Sequence, residues 1–183
     1  MILIIALVLA TDGFTVAVSK GDALREVNYK KMLYIGAMFG IIQIPFMILG
    51  GVLGNVFKLP VFEFTAYTAV LFTIVRAIPE IIMALRSPDV RVNDSMNFFL
   101  LLGLGAVSSL DAFVLGMLLV AVEMSYIPAA IVSGVVTFVA AAFGLYYGNK
   151  KGIAANRMIG IIGAALYIVV GVMILMMSKF SFV

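Results

Sequence analysis

Apolar residues dominate six stretches of the chain, near 1–19, 32–54, 62–85, 97–121, 127–148 and 158–178, and polar residues collect in the short segments between them. A helix crossing a hydrocarbon core needs about 20 apolar residues, and each stretch comes close to that length. The pattern predicts an all-α membrane protein of six transmembrane helices. Pro45 and Pro79 fall inside two of the stretches. Neither argues against helix, because neighbouring helices in a bundle satisfy the freed backbone groups. The first stretch has no basic leader and no small-residue cleavage site, and it carries Asp12. It therefore reads as a retained helix and not as a signal peptide.

The connections carry an orientation signal. Lys20, Arg25, Lys30, Lys31, Arg86, Arg91, Lys150, Lys151 and Arg157 all fall in the first, third and fifth connections, against Lys58 and Lys179 on the other side. Basic residues stay in the cytoplasm, so the loops 20–31, 86–96 and 149–157 are expected there, with both termini outside. The expected location is the plasma (inner) membrane.

The polar interruptions of the apolar runs then suggest a duplication. LATDGFTVAVSKG (9–21) and GAVSSLDAFVLGM (105–117) each place an aspartate inside a span, and Asp12-Gly13-Phe14 pairs with Asp111-Ala112-Phe113. GIIQIPFMILGGVLGN (40–55) lies over GVVTFVAAAFGLYYGN (134–149) without a gap. Gly40, Gly50, Gly54 and Asn55 meet Gly134, Gly144, Gly148 and Asn149, while Gln43 meets Thr137. LFTIVR (71–76) over LYIVVG (166–171) adds a weaker, mostly apolar match. The chain thus divides into a first three-helix repeat (1–85), a cytoplasmic linker (86–96) and a second repeat (97–183). Three spans per repeat mean opposite insertion, the inverted-repeat plan of secondary transporters, whose sites form near the midplane.

Composition narrows the chemistry. Of 183 residues, 64% are hydrophobic and 11% charged, which leaves no room for a soluble domain. Cysteine and histidine are both absent, which removes disulfides, thiolate or imidazole metal sites and every His-containing triad. No nucleotide-binding motif is present, so no cofactor is expected, and transport would run on gradients or on a separate partner. The lipid bilayer is an expected partner besides the substrate, nucleic acid is not, and the sequence leaves the oligomeric state open.

An ionised carboxylate at a helix centre costs about 2.5–3.5 kcal/mol on insertion scales, so it faces protein or water. Here it occurs twice at equivalent places. Thr11, Asp12, Thr15 and Ser19 form one polar stripe by helical spacing, and Ser108 stands three residues before Asp111 with Ser109 beside it. Two carboxylates with hydroxyls nearby suit a divalent hard or borderline cation. The candidate ligands are Asp12, Asp111, Thr15, Ser108, Gln43, Thr137 and Glu80. Arg76 and Glu80, four apart, are expected to form a structural ion pair along their helix. Glu63 and Glu123 lie at the outer boundary and read as solvated. The glycines of spans two and five allow close helix approach. The 12 Met residues show no ligand spacing. Asn149 and Asn156 read as loop residues.

Asp12 in TDGFTVAVSKG, Asp111 in SSLDAFVLGM, six spans and two repeats together resemble the manganese efflux pump family (MntP type), a branch of the lysine-exporter superfamily. The likeness covers essentially the whole chain. In that family the first motif reads Asp-Ala-Phe followed by Lys-Gly, which Asp12, Phe14, Lys20 and Gly21 match, and Arg76 with Glu80 match an Arg/Glu pair of the third span. Thr11 stands where a hydrophobic residue is usual, Gly13 replaces Ala, and Gln43 sits where some members carry Glu. The resemblance implies export of Mn²⁺, with Asp12 and Asp111 as ligands and no enzymatic activity. Proton counter-transport is the simplest coupling, because protons can replace a departing cation on two carboxylates. An amino-acid exporter or a non-transporting membrane protein of the same superfamily remains open at this point. An intramembrane aspartyl protease is more remote, since Asp111 follows Gly105 by six residues and has no Gly-x-Gly-Asp motif.

Overall fold

A computed structural model describes residues 2–24, 26–57, 97–121 and 123–151, together with single helical positions at 75, 161, 162, 165, 168, 169, 172 and 176. The elements are α1 (Ile2–Ala23), α2 (Tyr29–Phe57), α3 (Phe98–Ser108), α4 (Leu110–Ala121) and α5 (Tyr126–Lys151). Counting α3 and α4 as one crossing, four helices among the described residues are long and apolar enough to span a membrane. The chain is a multi-pass membrane protein. The expected spans 62–85 and 158–178, the linker 86–96 and the 71–76/166–171 match lie essentially outside the described residues.

The helices start where polar side chains can accept their first N–H groups. Asn28 Oδ1 accepts from Lys31 N–H at 2.9 Å, and Asn97 Oδ1 accepts from Phe99 N–H at 3.1 Å. Helix α2 continues through Pro45, which removes one donor inside an otherwise continuous run. At 29 residues it measures about 43 Å at 1.5 Å per residue, longer than the hydrocarbon core. Its extra turns reach the region where Lys30 and Lys31 can be solvated. Helix α5 ends in Lys150 and Lys151, and the Lys150 ammonium lies 4.9 Å from the centre of the Tyr146 ring.

Two expectations change here. Lys20, counted among the residues of the first connection, is a fully buried residue inside α1, because the helix runs one turn further than the apolar pattern does. The span expected at 97–121 is broken into α3 and α4 at Ser109, whose φ of −86° and ψ of −4° locally tighten the turn.

Helix α5 is the hub. Helices α1 and α2 pack along it, and α4 packs along α2. Phe14 lies against Gly144 and Val18 against Gly148, so α1 and α5 run in the same direction. Gly36 lies at Phe138 and Gly40 at Gly134, so α2 runs the opposite way. One stripe of α5 (Ala130, Gly134, Thr137, Ala141, Leu145, Gly148) is buried, while Ile131, Val135, Val139 and Phe143 project outward from the bundle. Apolar side chains on the outside and polar ones within is the distribution a lipid environment selects.

The contacts recur with the two halves exchanged. Gly50 abuts the carbonyl of Phe113, and Gly144 abuts the carbonyl of Phe14. Gly54 lies against Met117 as Gly148 lies against Val18. These are the positions that the sequence match pairs. Gly40 and Gly134, paired with one another, also touch one another. A Cβ on Gly40 would stand 2.6 Å from the Gly134 oxygen, and one on Gly134 would stand 3.0 Å from the Gly40 oxygen.

These approaches make a stability prediction. A Cβ at Gly148 overlaps the Val18 carbonyl, whereas one at Gly103 meets nothing within 4 Å. Gly148→Ala is expected to lower the melting temperature of the detergent-solubilised protein by several degrees, in line with an overpacking cost of about 1–3 kcal/mol. Gly103→Ala should leave it unchanged or raised. Equal melting temperatures for the two variants would contradict the packing described.

Candidate metal centre

The polar side chains of the spans are gathered inside the bundle. Asp12 is 7% exposed, Asp111 4%, Gln43 2% and Thr137 0%, and Ser109 and Ser133 are buried with them. They lie between two apolar clusters. One contains Ile5, Val8, Leu9, Met47, Leu115, Leu119 and Ala129. The other contains Ala17, Leu24, Ile35, Phe39, Leu101, Ala141 and Leu145. The clusters repeat the sequence pairing too: Met47 of the first matches Ala141 of the second, and Ala129 matches Ile35 when the pairing is extended.

Helix α1 carries Asp12 into its contact with α5. The neighbouring Gly13 makes this possible, since a Cβ there would already stand 3.0 Å from Thr137 Cγ2 and 3.6 Å from the Phe39 ring. Asp111 enters on the other seam, in the first turn of α4, beside α2. The break at Ser109 directly precedes it, so the partly exposed N–H end of α4 favours a negative charge at that place. Neither carboxylate is isolated; each engages an electrostatic or hydrogen-bonded partner.

The expected hydroxyl ligands differ in how they are occupied. Thr11 donates to the Val8 carbonyl, Thr15 to the Thr11 carbonyl at 2.8 Å and Ser19 to the Thr15 carbonyl at 3.1 Å. The polar stripe of α1 thus bonds back onto its own helix, and Thr15 retains only lone pairs for a cation. Ser108 is half-buried, whereas Ser109 is on the buried face of its span with Leu101, Gly105 and Ala112. Ser133 donates to the Ala130 carbonyl at 3.0 Å and contacts Met47 Sδ at 3.5 Å.

Gln43 and Thr137 stand apart. Gln43 Nε2 and Thr137 Oγ1 are buried and have no hydrogen-bond partner among the described residues. Each lies three residues beyond one member of the Gly40–Gly134 contact, at positions the sequence match pairs. Leaving such a group unsatisfied costs about 1–3 kcal/mol. The two ends of the Gln43 amide are interchangeable by rotation, so the same site can present a carbonyl oxygen. The belt contains two carboxylates and two neutral polar groups, residue types that suit a hard cation.

Arg76 and Glu80 lie outside the described residues, as does Glu63. Among the described residues, no three carboxylates gather in one place. Glu123 is exposed, in agreement with its solvated reading, and takes a left-handed backbone with φ 55°. Sequence reasoning placed Lys20 and Asn149 in loops, and the structure places both in helices, Asn149 in the last turn of α5, which continues past the apolar run to Lys151. Asn149 Nδ2 donates to the carbonyls of Gly21 and Leu24, at 3.1 and 2.7 Å, from a different helix. The signal was available in the repeat itself, because Asn149 ends the GxxxGN match with Asn55.

Known proteins resemble this chain over nearly its whole length. The family model described as "Putative manganese efflux pump" matches residues 26–175. A protein of Methanobrevibacter smithii named "Putative manganese efflux pump MntP" is 29% identical over 175 residues, covering 96% of this chain and 95% of its own. Proteins of the same name from Methanosphaera stadtmanae and Nitrosomonas eutropha are 25% and 28% identical and cover 96% and 94% of the chain, and 97% of their own lengths. No solved structure matches. The chain belongs to the manganese efflux pump family.

Proposed function

We propose that this protein exports Mn²⁺ across the plasma membrane through a midplane site built on Asp12 and Asp111. The observation that carries the reading is the burial of these two carboxylates at matched positions, in a polar belt closed on both sides by apolar clusters. Family membership supports manganese as cargo, and it makes a transport role the natural one in place of proteolysis or another enzymatic activity.

The architecture in this reading is six spans in two three-helix halves of opposite topology. The exchanged contacts support it, and the Gly40–Gly134 approach lies where a pseudo-two-fold axis in the membrane plane would pass. The connections rich in Lys and Arg face the cytoplasm, so the ion enters from the side of Lys30, Lys31, Lys150 and Lys151. Asp12 and Asp111 neutralise its charge. Gln43 and Thr137 complete the shell with neutral oxygens, and Thr15 and Ser108 contribute lone pairs near them. Glu80, paired with Arg76, is a further carboxylate for the same site.

Charge balance sets the coupling. A divalent cation leaving two carboxylates would strand their charge in a low-dielectric interior, and protons entering from outside would remove it. Metal and protons then move in opposite directions.

Asp12→Asn and Asp111→Asn keep the shape of each side chain and remove its charge. Each is expected to lower Mn²⁺ export at least tenfold in a manganese-sensitive, exporter-deficient strain while the protein still accumulates in the membrane. Near-normal export by either variant sinks the two-carboxylate site. Radiolabelled Mn²⁺ and lysine offered to the same vesicles separate metal export from amino-acid export.

Thr137→Val gives a test with two readouts of opposite sign. Removing an unsatisfied buried hydroxyl while keeping its volume should raise the melting temperature. Because that hydroxyl is reserved for the ion, the Mn²⁺ concentration giving half-maximal transport should rise several-fold. A stabilised protein with unchanged transport would assign Thr137 a packing role only.

In proteoliposomes, an imposed pH gradient should drive Mn²⁺ against its own gradient, with protons moving oppositely. Flux that follows membrane potential and ignores the pH gradient would refute proton exchange.

A further inference from the structure

The end of α1 is closed by another helix. Its last turn leaves carbonyls with no donor in the helix. Leu24 N–H still reaches the Lys20 carbonyl at 3.2 Å, but the Gly21 and Leu24 carbonyls are met by the Asn149 amide of α5. The helices are close enough because Gly21 faces the Leu145 carbonyl and Gly148 faces the Val18 carbonyl, neither with room for a Cβ.

The matched end of α4 is closed differently. Glu123 adopts φ 55°, and the Glu123 and Met124 N–H groups return to the Val120 and Leu119 carbonyls at 3.1 and 2.8 Å. That cap uses only local backbone. Asn55, the counterpart of Asn149, is exposed, and a Cβ on Gly54 would stand 3.2 Å from Met117, a looser approach than Gly148 makes. The two ends of the molecule, otherwise matched, are therefore held by unequal means. Among the described residues, one depends on a side chain from a neighbouring helix, and the other is met by local backbone alone.

The clasped end is also the one that seals the belt on the side of the basic residues. Between Asp12 and Asn149 the α1–α5 seam holds Ala17, Ala141, Leu145 and Leu24, all buried, and Lys20 is fully buried on the same stretch of α1. These side chains close the seam between the belt and this end of the bundle. We propose that Asn149 is a positioning residue for transport: its amide clasps the last turn of the Asp12 helix to α5, and this end of the site opens when the clasp releases. This rests on the transport reading given above. The two bonds join neutral groups, and water entering as the seam parts can take over both carbonyls. Release therefore strands no buried acceptor.

The chain has no cysteine, so single reporters have a clean background. Ala141→Cys reports the seam at the clasped end, and Ala129→Cys reports the opposite apolar cluster. Full-length protein in proteoliposomes of known orientation is treated with a membrane-impermeant thiol reagent from the side of Lys150 and Lys151. Asn149→Leu, similar in volume and without a donor, is expected to speed labelling of Ala141→Cys at least tenfold and to leave Ala129→Cys unchanged. Asn55→Leu should change neither. The proposal is overturned if Asn149→Leu leaves Ala141→Cys within twofold of its original rate, or if both reporters accelerate together, which marks general loosening. It is equally overturned if Asn55→Leu has the same effect as Asn149→Leu. Labelling reads the opening of the seam whether or not metal moves. Export that survives loss of Asp12 or Asp111 would therefore overturn the transport reading without touching this result.

Discussion

A carboxylate in hydrocarbon has to be enclosed by protein, and Asp12 and Asp111 impose that requirement on every helix described. Enclosure needs helices that approach until backbone meets backbone, because larger contact residues would hold the seams open. That is the role of the glycines at the α2–α4, α1–α5 and α2–α5 crossings. A residue such as Ala at Gly148 or Gly50 would collide with a neighbouring carbonyl. The close crossings in turn leave only a thin polar belt, with apolar clusters on either side that keep water from reaching it freely. Packing and chemistry are thus one constraint in this protein. The seams that stabilise the bundle are the walls of the site.

Much of this was legible in the chain. For the four described spans, existence follows from apolar run length, and the pairing of Gly40, Gly50 and Gly54 with Gly134, Gly144 and Gly148 already named residues at which helices touch. The aspartates declared themselves by cost alone. Boundaries were less legible, because an apolar window ends where charge begins, whereas a helix continues until its carbonyls find other donors. Lys20 shows the difference: hydropathy assigns it to a loop, yet α1 carries it fully buried for another turn. The break at Ser109 was hidden in the hydropathy pattern, since Ser108, Ser109 and Asp111 interrupt a run that stays apolar on both sides without showing where the helix bends. The contrast between Thr15, bonded to its own helix, and Thr137, left unsatisfied, also needed coordinates. Both residues look alike in the sequence, and only packing decides whether a hydroxyl can turn back one helical turn.

The likeness of the halves makes their differences informative. Matched contacts at Phe14 and Phe113 or at Gly40 and Gly134 describe what both halves share. Asn149, engaged, and Asn55, exposed, describe where they diverge. Gln43 and Thr137 diverge chemically at one shared position, so a belt built twice from similar pieces still presents an amide on one side and a hydroxyl on the other. In the proposed site two charges would hold the ion and the neutral groups would tune it.

The central claim is that one divalent ion binds in this belt between the two aspartates. A structure of the Mn²⁺-loaded protein in lipid nanodiscs or crystals, with anomalous scattering at the manganese edge to mark the metal, tests it most directly. The account predicts a single intramembrane manganese peak within direct coordination distance of both the Asp12 and Asp111 carboxylates, with the Gln43 and Thr137 side chains turned toward it. A peak confined to the loops, or coordinated by one aspartate while the other stays bonded to a neighbouring helix, would contradict it.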